Sequence, residues 1–199
     1  MSEQTDVAVE SSSNTEDSAL NTGISIAVAL AGTFMALSNV KDGNIAQSMQ
    51  DAQARKINEW SYYQAKSTKQ HIAEGTLEQL KSLRMLSAAG NPEALSELDK
   101  KIGDFQAKVA KYEGEKTDIK VKAEGWQTTY EELNKVDDQF DMSDAAMSVG
   151  IALCGVSALV KRRGLFGVAL AFLAFGTVMG LAGFFGWAIE IPFLSKLLS

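Results

Sequence analysis

Residues 95–133 read LSELDKKIGDFQAKVAKYEGEKTDIKVKAEGWQTTYEEL. Their apolar positions step by three and four: Leu95, Leu98, Ile102, Phe105, Val109, Tyr112, then Ile119, Ala123, Trp126, Tyr130 and Leu133. The pattern is an a/d seam sustained over more than five heptads, which marks a helix pairing with another along one narrow stripe. Lys116 stands on the seam and interrupts it, and Val136 and Phe140 carry the stripe on, displaced by about one position.

Working outward, the preceding arm from Asn44 to Ala88 is rich in Ala, Gln, Lys, Glu and Leu and has no proline, so it too is expected to be helical. Its seam is less clean. Leu77, Leu80, Leu83 and Leu86 are apolar near one end, whereas Trp60, Gln64, Ser67 and His71 form a mixed stripe lower down. Between the arms lies Ala89-Gly90-Asn91-Pro92, where Gly suits a helix C-terminus, Asn the next N-cap and Pro the first helical turn. Residues 41–144 are thus expected to form an antiparallel helical hairpin with its turn at 89–92. At about 1.5 Å per residue, each arm would reach about 70 Å.

Three uncharged runs flank this hairpin: residues 23–40, 145–160 and 164–189. A run of about 18 apolar residues spans the hydrocarbon core, so each is expected to be a transmembrane helix. The first meets the hairpin with no breaker beyond Asp42-Gly43-Asn44, which leaves one long helix with a soft joint open. Lys161-Arg162-Arg163 separates the second and third runs and is the candidate topology determinant. A short basic loop tends to stay cytoplasmic, which places the hairpin outside, although Lys41, Arg55 and Lys56 pull the other way. Gly176, Gly180 and Gly183 are candidate helix-packing positions, serving either the spans of one chain or two chains. Residues 1–22, Ser-, Thr- and acid-rich without Lys or Arg, are expected to be a disordered acidic tail, and 190–199 a short interfacial tail. The fold class is therefore all-α: three transmembrane helices with a long antiparallel coiled-coil hairpin inserted between the first and second.

The net charge of −6 and the lack of a basic aromatic patch argue against a nucleic-acid partner. Cys154 and His71 are each the sole residue of their type and lie far apart, so no transition-metal site of usual spacing is expected. No phosphate-binding, nucleophile-elbow or metalloprotease motif occurs, and neither an enzyme nor a cofactor is expected. Acid groups such as Glu131-Glu132 and Asp137-Asp138-Asp141 read as solvated or juxtamembrane faces.

The least generic stretch runs from Trp60 to His71. Trp60, Tyr63, Gln64, Ser67 and His71 are the candidate interaction face; the bland alternative is a polar layer that fixes hairpin register. Gly103, Gly114 and Gly125 recur every eleven residues, three helical turns, and lie along one line beside the seam. They are either tolerated solvent positions or a close-approach face for a second hairpin.

The segment Trp60-Ser61-Tyr62-Tyr63-Gln64-Ala65-Lys66-Ser67-Thr68-Lys69, together with Tyr112-Glu113-Gly114-Glu115-Lys116 and the Lys161–Arg163 loop between two spans, resembles an uncharacterised family of small bacterial membrane proteins. That family carries a W-x-Y-Y-Q-A-K-x-x-K segment after one span and two spans near the C-terminus. The resemblance implies membrane placement and this layout, and it implies no activity. The functional expectation is a non-enzymatic scaffold or adaptor in the bacterial cytoplasmic membrane, contacting lipid, self-associating, and meeting a protein partner through its hairpin. The alternatives are an oligomeric transport or gating component, or an envelope sensor. Inside the spans the polar candidates are mainly hydroxyls such as Ser25, Thr33, Ser148, Ser157 and Thr177, with no charged residue, which favours the adaptor over a pore.

Overall fold

The computed structural model describes residues 3–87 and 90–187, with side chains from residue 18 onward. Among the described residues there are three helices and no strand: α1 (Glu3–Leu86), α2 (Pro92–Val160) and α3 (Arg163–Phe185). The chain divides into two units: unit 1 comprises Met1–Ser48 and Glu132–Ser199, and unit 2 comprises Met49–Glu131. The segments expected to be separate helices are merged. α1 runs through Asp42-Gly43-Asn44 and α2 runs through residues 133–145 without a break. A single glycine costs a helix only about 1 kcal/mol, and neither joint contains a proline.

α1 also begins earlier than expected. It starts at Glu3, so residues 3–22, expected to be disordered, are helical. No proline or glycine precedes Gly23, so nothing in the sequence obliges the helix to start later. At the other end α1 stops at Leu86, with the Ser87 N–H on Leu83 O at 3.0 Å and the Gly90 N–H on Ser87 O at 2.8 Å. Ala89 of the expected turn lies outside the described residues. Pro92 opens α2, and the Asn91 side chain caps it by accepting the Glu93 N–H at 3.0 Å.

Lys161, in the left-handed region at φ 55°, ends α2, and Arg162 with an extended backbone begins α3. α3 closes at Phe185 rather than continuing to residue 189. Gly186 adopts φ 65°, and its N–H and that of Trp187 both reach Ala182 O. The tail from 190 to 199 lies outside the described residues.

Within unit 2 the seam residues of α2 from Leu95 to Tyr130 are buried or partly buried, Lys116 among them, and Glu115, Gln127 and Thr129 beside them are partly buried too. The matching stripe on α1 is Met49, Ala52, Lys56, Glu59, Tyr63, Lys66, Gln70, Ala73, Leu77, Leu80 and Arg84, also stepping by three and four. Cross-helix contacts pair Arg84 with Asp99, Gln70 with Lys116, Lys66 with Glu115 and Lys56 with Gln127. From the Arg84–Asp99 contact to the Lys56–Gln127 contact the α1 number falls while the α2 number rises, so the two segments run antiparallel.

Unit 1 is packed in the opposite sense. Its largest fully buried side chains are Met147, Met179, Cys154, Ser143 and Ser157, while several large apolar groups point outward, Leu30 at 67 % exposure and Leu159 at 85 %. Glycines allow the helices to approach. A Cβ on Gly176 would stand 2.6 Å from Met147 Cγ and 2.9 Å from Ser143 O; on Gly180, 2.6 Å from Phe34; on Gly183, 2.9 Å from Phe140. The Ser143 hydroxyl donates to Gly176 O at 2.7 Å across the same contact. Phe184 closes one end, edge-on to Phe34 and Phe140 with centroids 6.3 and 5.4 Å away. Each of the three helices contains a stretch long and apolar enough to cross a membrane.

Candidate functional site

Two polar constellations stand out, one in each unit. In unit 2 the helical spacing puts cations on the inner stripe, where apolar residues would be the default. Lys66 and Lys116 keep only 13 % of their side chains exposed. Each is satisfied across the interface. Lys66 Nζ meets Glu115 at 2.6 Å, and Lys116 Nζ donates to Gln70 Oε1 at 2.8 Å and to Glu113 at 3.3 Å. The stems lie along the seam and the heads reach its edge, as long cationic side chains do.

Aromatic rings complete the layer. Lys66 stands over the Tyr112 ring, Lys116 over Tyr63, Lys56 over Tyr130 and Arg55 over Trp126, at 4.9 to 5.6 Å from the centroids. The pairing is reciprocal: cations of α1 cover seam aromatics of α2, and the seam cation of α2 covers a tyrosine of α1. The hydrogen bond from Lys66 holds the Glu115 carboxyl below the usual range, and the same bond raises Lys66.

Gln70 links this layer to the surface. Its amide donates to Glu74 at 2.9 Å, Glu74 contacts His71 Nδ1 at 3.1 Å, and Ser67 lies 3.4 Å from His71 Nε2. The His71 and Gln70 hydrogen bonds, in that order, lower the Glu74 carboxyl.

The residues singled out from sequence are therefore divided. Tyr63 faces the partner helix and Ser67 is half-buried, whereas Trp60, Gln64 and His71 point outward. They do not line the seam as one stripe. The inner polar layer instead consists of Lys56, Glu59, Lys66 and Gln70, none of them part of the candidate face. Leu83 and Leu86 are likewise exposed, and only Leu77 and Leu80 turn inward. Strict seven-residue steps back from Leu77 and Leu80 give Gln70, Tyr63, Lys56 and Ala73, Lys66, Glu59, and that signal was present in the chain. Gly103, Gly114 and Gly125 sit on the exposed side with open space where a Cβ would be.

In unit 1, Gly176, Gly180 and Gly183 are filled by Met147, Phe34 and Phe140 of the same chain. Beside the apolar segments lies the second constellation, Asp42 on α1 with Asp137, Asp138 and Asp141 on α2. Asp42, Asp137 and Asp138 are half-buried rather than fully solvated. Asp137 is pushed up to about 6, by burial first and then by the charges of Asp42 and Asp141. Burial also raises Asp42 and Asp138. Among the described residues no group of three or more His, Cys, Asp or Glu is arranged to hold a metal ion.

The family model for the domain of unknown function DUF4337 matches residues 20–186, which takes in both constellations and all three apolar segments. The chain belongs to this family. No curated protein and no solved structure matches it. Membership of DUF4337 thus fixes a kinship and leaves the function to the physical reading of these two units.

Proposed function

We propose that this DUF4337 chain is a non-enzymatic membrane-anchored scaffold, with unit 1 seated in the bilayer and the antiparallel coiled coil of unit 2 presented to water for a protein partner. The observation that carries the reading is the inverted packing of unit 1. Glycines and serines take its closest helix contacts, with Met147, Met179, Phe140 and Leu173 packed beside them, while Leu30, Leu37, Leu159, Phe172, Phe175 and Val178 face outward. In water such an exterior aggregates. In lipid it is the ordinary arrangement, because tails solvate large apolar side chains and small ones let helices approach.

Unit 2 carries the opposite exterior, ringed by short-range ion pairs such as Arg55–Asp51, Lys81–Glu78 and Lys101–Glu97. Its outward aromatic and aliphatic groups, Ile57, Trp60, Tyr62 and Ile72, supply the contact face. An open cleft of about 300 Å³ where α1 gives way to α2, lined in part by Leu83, Asn91 and Leu98, supplies a second. In this reading the membrane is the bacterial cytoplasmic membrane, the Lys161–Arg163 turn stays inside and unit 2 lies outside. Self-association belongs to the outward side of α3 and to the open Gly103–Gly114–Gly125 line, because Gly176, Gly180 and Gly183 are occupied within the chain.

The test is photo-crosslinking in native membranes from reactive residues placed at Trp60, Ile72 and Asn91. The expected result is one distinct partner protein crosslinked from at least one of these positions. Self-crosslinks alone, together with solute flux in reconstituted vesicles, would replace the scaffold by a pore.

A further inference from the structure

We propose that a groove between α1 and α3 in unit 1 holds one anionic phospholipid, an acyl chain lying in the groove and the phosphate on the basic turn above it. The site rests on the membrane reading of unit 1. The groove is open, has a volume of about 480 Å³, and is lined by Ala27, Leu30 and Ala31 of α1 and by Leu170, Leu173 and Ala174 of α3. All of these residues belong to unit 1.

Its shape follows from the side chains that hold the two helices apart. α1 and α3 run parallel here, since Gly23 meets Phe166 and, farther along both helices, Phe34 meets Gly180. A Cβ on Gly23 would stand 3.5 Å from the Phe166 ring, one turn above Ala27 and Leu170. At the other end the Phe34 and Phe184 rings meet with centroids 6.3 Å apart. Between these aromatic contacts Ala27, Ala31 and Ala174 are too short to fill the space.

The lining selects hydrocarbon. Among the described lining residues the only hydroxyl is that of Thr177, which donates to Leu173 O at 2.8 Å within its own helix and has no proton left to offer. A polar occupant would lose its water without gaining a donor. Nor does the groove suit a helix of a second copy. It extends only about 10 Å, from Leu170 to Thr177, and aromatic contacts bound it at both ends. A flexible acyl chain needs no longer stripe.

The depth and the charge above it match a lipid. Arg163 precedes Leu170 by seven residues on the same face of α3, so the basic turn stands about 10 Å above the groove. With the turn at headgroup level, the groove lies within the hydrocarbon of the same leaflet, which is about 15 Å thick. Lys161, Arg162 and Arg163 are adjacent and exposed, and cations beside a span attract anionic headgroups. Lys161 and Arg163 also interact within the chain. An arginine fork suits two oxygens of one phosphate, which assigns the headgroup to Arg162 and Arg163.

The experiment uses the full chain in mild detergent, titrated with dioleoyl phosphatidylglycerol or dioleoyl phosphatidylcholine, with bound lipids counted by native mass spectrometry. The expected result is a discrete state of one lipid per chain, with phosphatidylglycerol held about tenfold more tightly. The double variant Arg162→Gln, Arg163→Gln removes that preference. Ala174→Phe fills the groove from an exposed position and weakens binding of both lipids about tenfold. Val149→Phe, exposed on α2 and not part of the lining, changes neither. If Ala174→Phe does not fold, Ala27→Leu narrows the groove from α1 and serves instead. Equal retention of the two lipids by the wild type overturns the site, as does a ladder of bound lipids with no preferred number. Equal effects of Ala174→Phe and Val149→Phe also overturn it, as does a dimer that Ala174→Phe dissolves, which would seat a second copy in the groove. A chain that inserts into phosphatidylglycerol vesicles yet gives one of these results loses only the site. A chain that does not insert loses the membrane reading as well.

Discussion

Units 1 and 2 both draw on α1 and α2, with α3 added in unit 1, yet they solve opposite problems. Unit 2 hides lysines and glutamine between its helices and exposes charge, with Lys66 and Lys116 held by Glu115, Gln70 and aromatic rings. Unit 1 packs glycine, serine and methionine together with Phe140 and Leu173 at its helix contacts, and exposes Leu30, Leu37, Leu159 and Phe185. The difference teaches that hydrophobicity alone does not identify the inside of a helix pair: close approach at glycines shapes unit 1, and unit 2 admits satisfied polar groups beside Ala52, Ala73, Leu77, Ile119 and Ala123. Glycine has contrary meanings in the two. Gly176 and Gly180 are where helices touch, whereas Gly103, Gly114 and Gly125 touch nothing.

The largest expected effect breaks this contrast directly. Gly176→Ala must displace Met147 and the backbone at Ser143, so it should destabilise the chain by about 1–3 kcal/mol. Gly114→Ala meets open space in a helix and should stabilise it by about 0.5–1 kcal/mol. Thermal unfolding of both variants in one mild detergent checks the pair of signs. Equal shifts in the same direction would erase the distinction.

A second prediction sharpens the comparison through pH. Glu115, held low first by its hydrogen bond to Lys66, contributes stability present above the ordinary Glu range and lost as pH falls through its lowered folded value. Asp137 works the other way and loses its contribution as pH rises through about 6. Hydrogen exchange, corrected for intrinsic rates, should show unit 2 loosening on acidification and the Asp42–Asp137 region loosening on approach to neutrality.

A smaller effect concerns register. Replacing Lys116 by Leu removes a seam cation together with its need for Gln70, so stability should change little. Pairing should become less exclusive, because a single polar seam residue penalises shifted alignments. Disulfide trapping between Arg84→Cys and Asp99→Cys reports the observed register, and between Arg84→Cys and Gln106→Cys a shifted one. The second pair should gain yield only in the Lys116→Leu background.

How much of this was legible depended on what each residue had to reveal. The α2 seam could be read because leucine, isoleucine and aromatics recur there, and Lys116 was recognised as its interruption. The α1 seam could not be read by hydrophobicity, since Lys56, Glu59, Lys66 and Gln70 occupy it; only counting in sevens from Leu77 and Leu80 locates them. Trp60 drew attention by its type, although its position turns it outward. Asp137 looked like one more solvated acid, because its neighbour Asp42 is remote in sequence and only the paired helices bring them together. The apolar runs were plain, but the surfaces against which Gly176 and Gly180 pack lie on other helices and leave no local trace.

The most direct test of the inverted packing compares two positions that are equally exposed in the isolated chain, Leu30 in unit 1 at 67 % and Val121 in unit 2 at 64 %. Spin labels at Leu30→Cys and Val121→Cys, each in a Cys154→Ala background in vesicles, are exposed to oxygen, which partitions into lipid, and to a charged nickel chelate confined to water. The account predicts that the label at residue 30 collides with oxygen and not with nickel, and that the label at residue 121 shows the reverse. Nickel access at residue 30 comparable to that at residue 121 would contradict it.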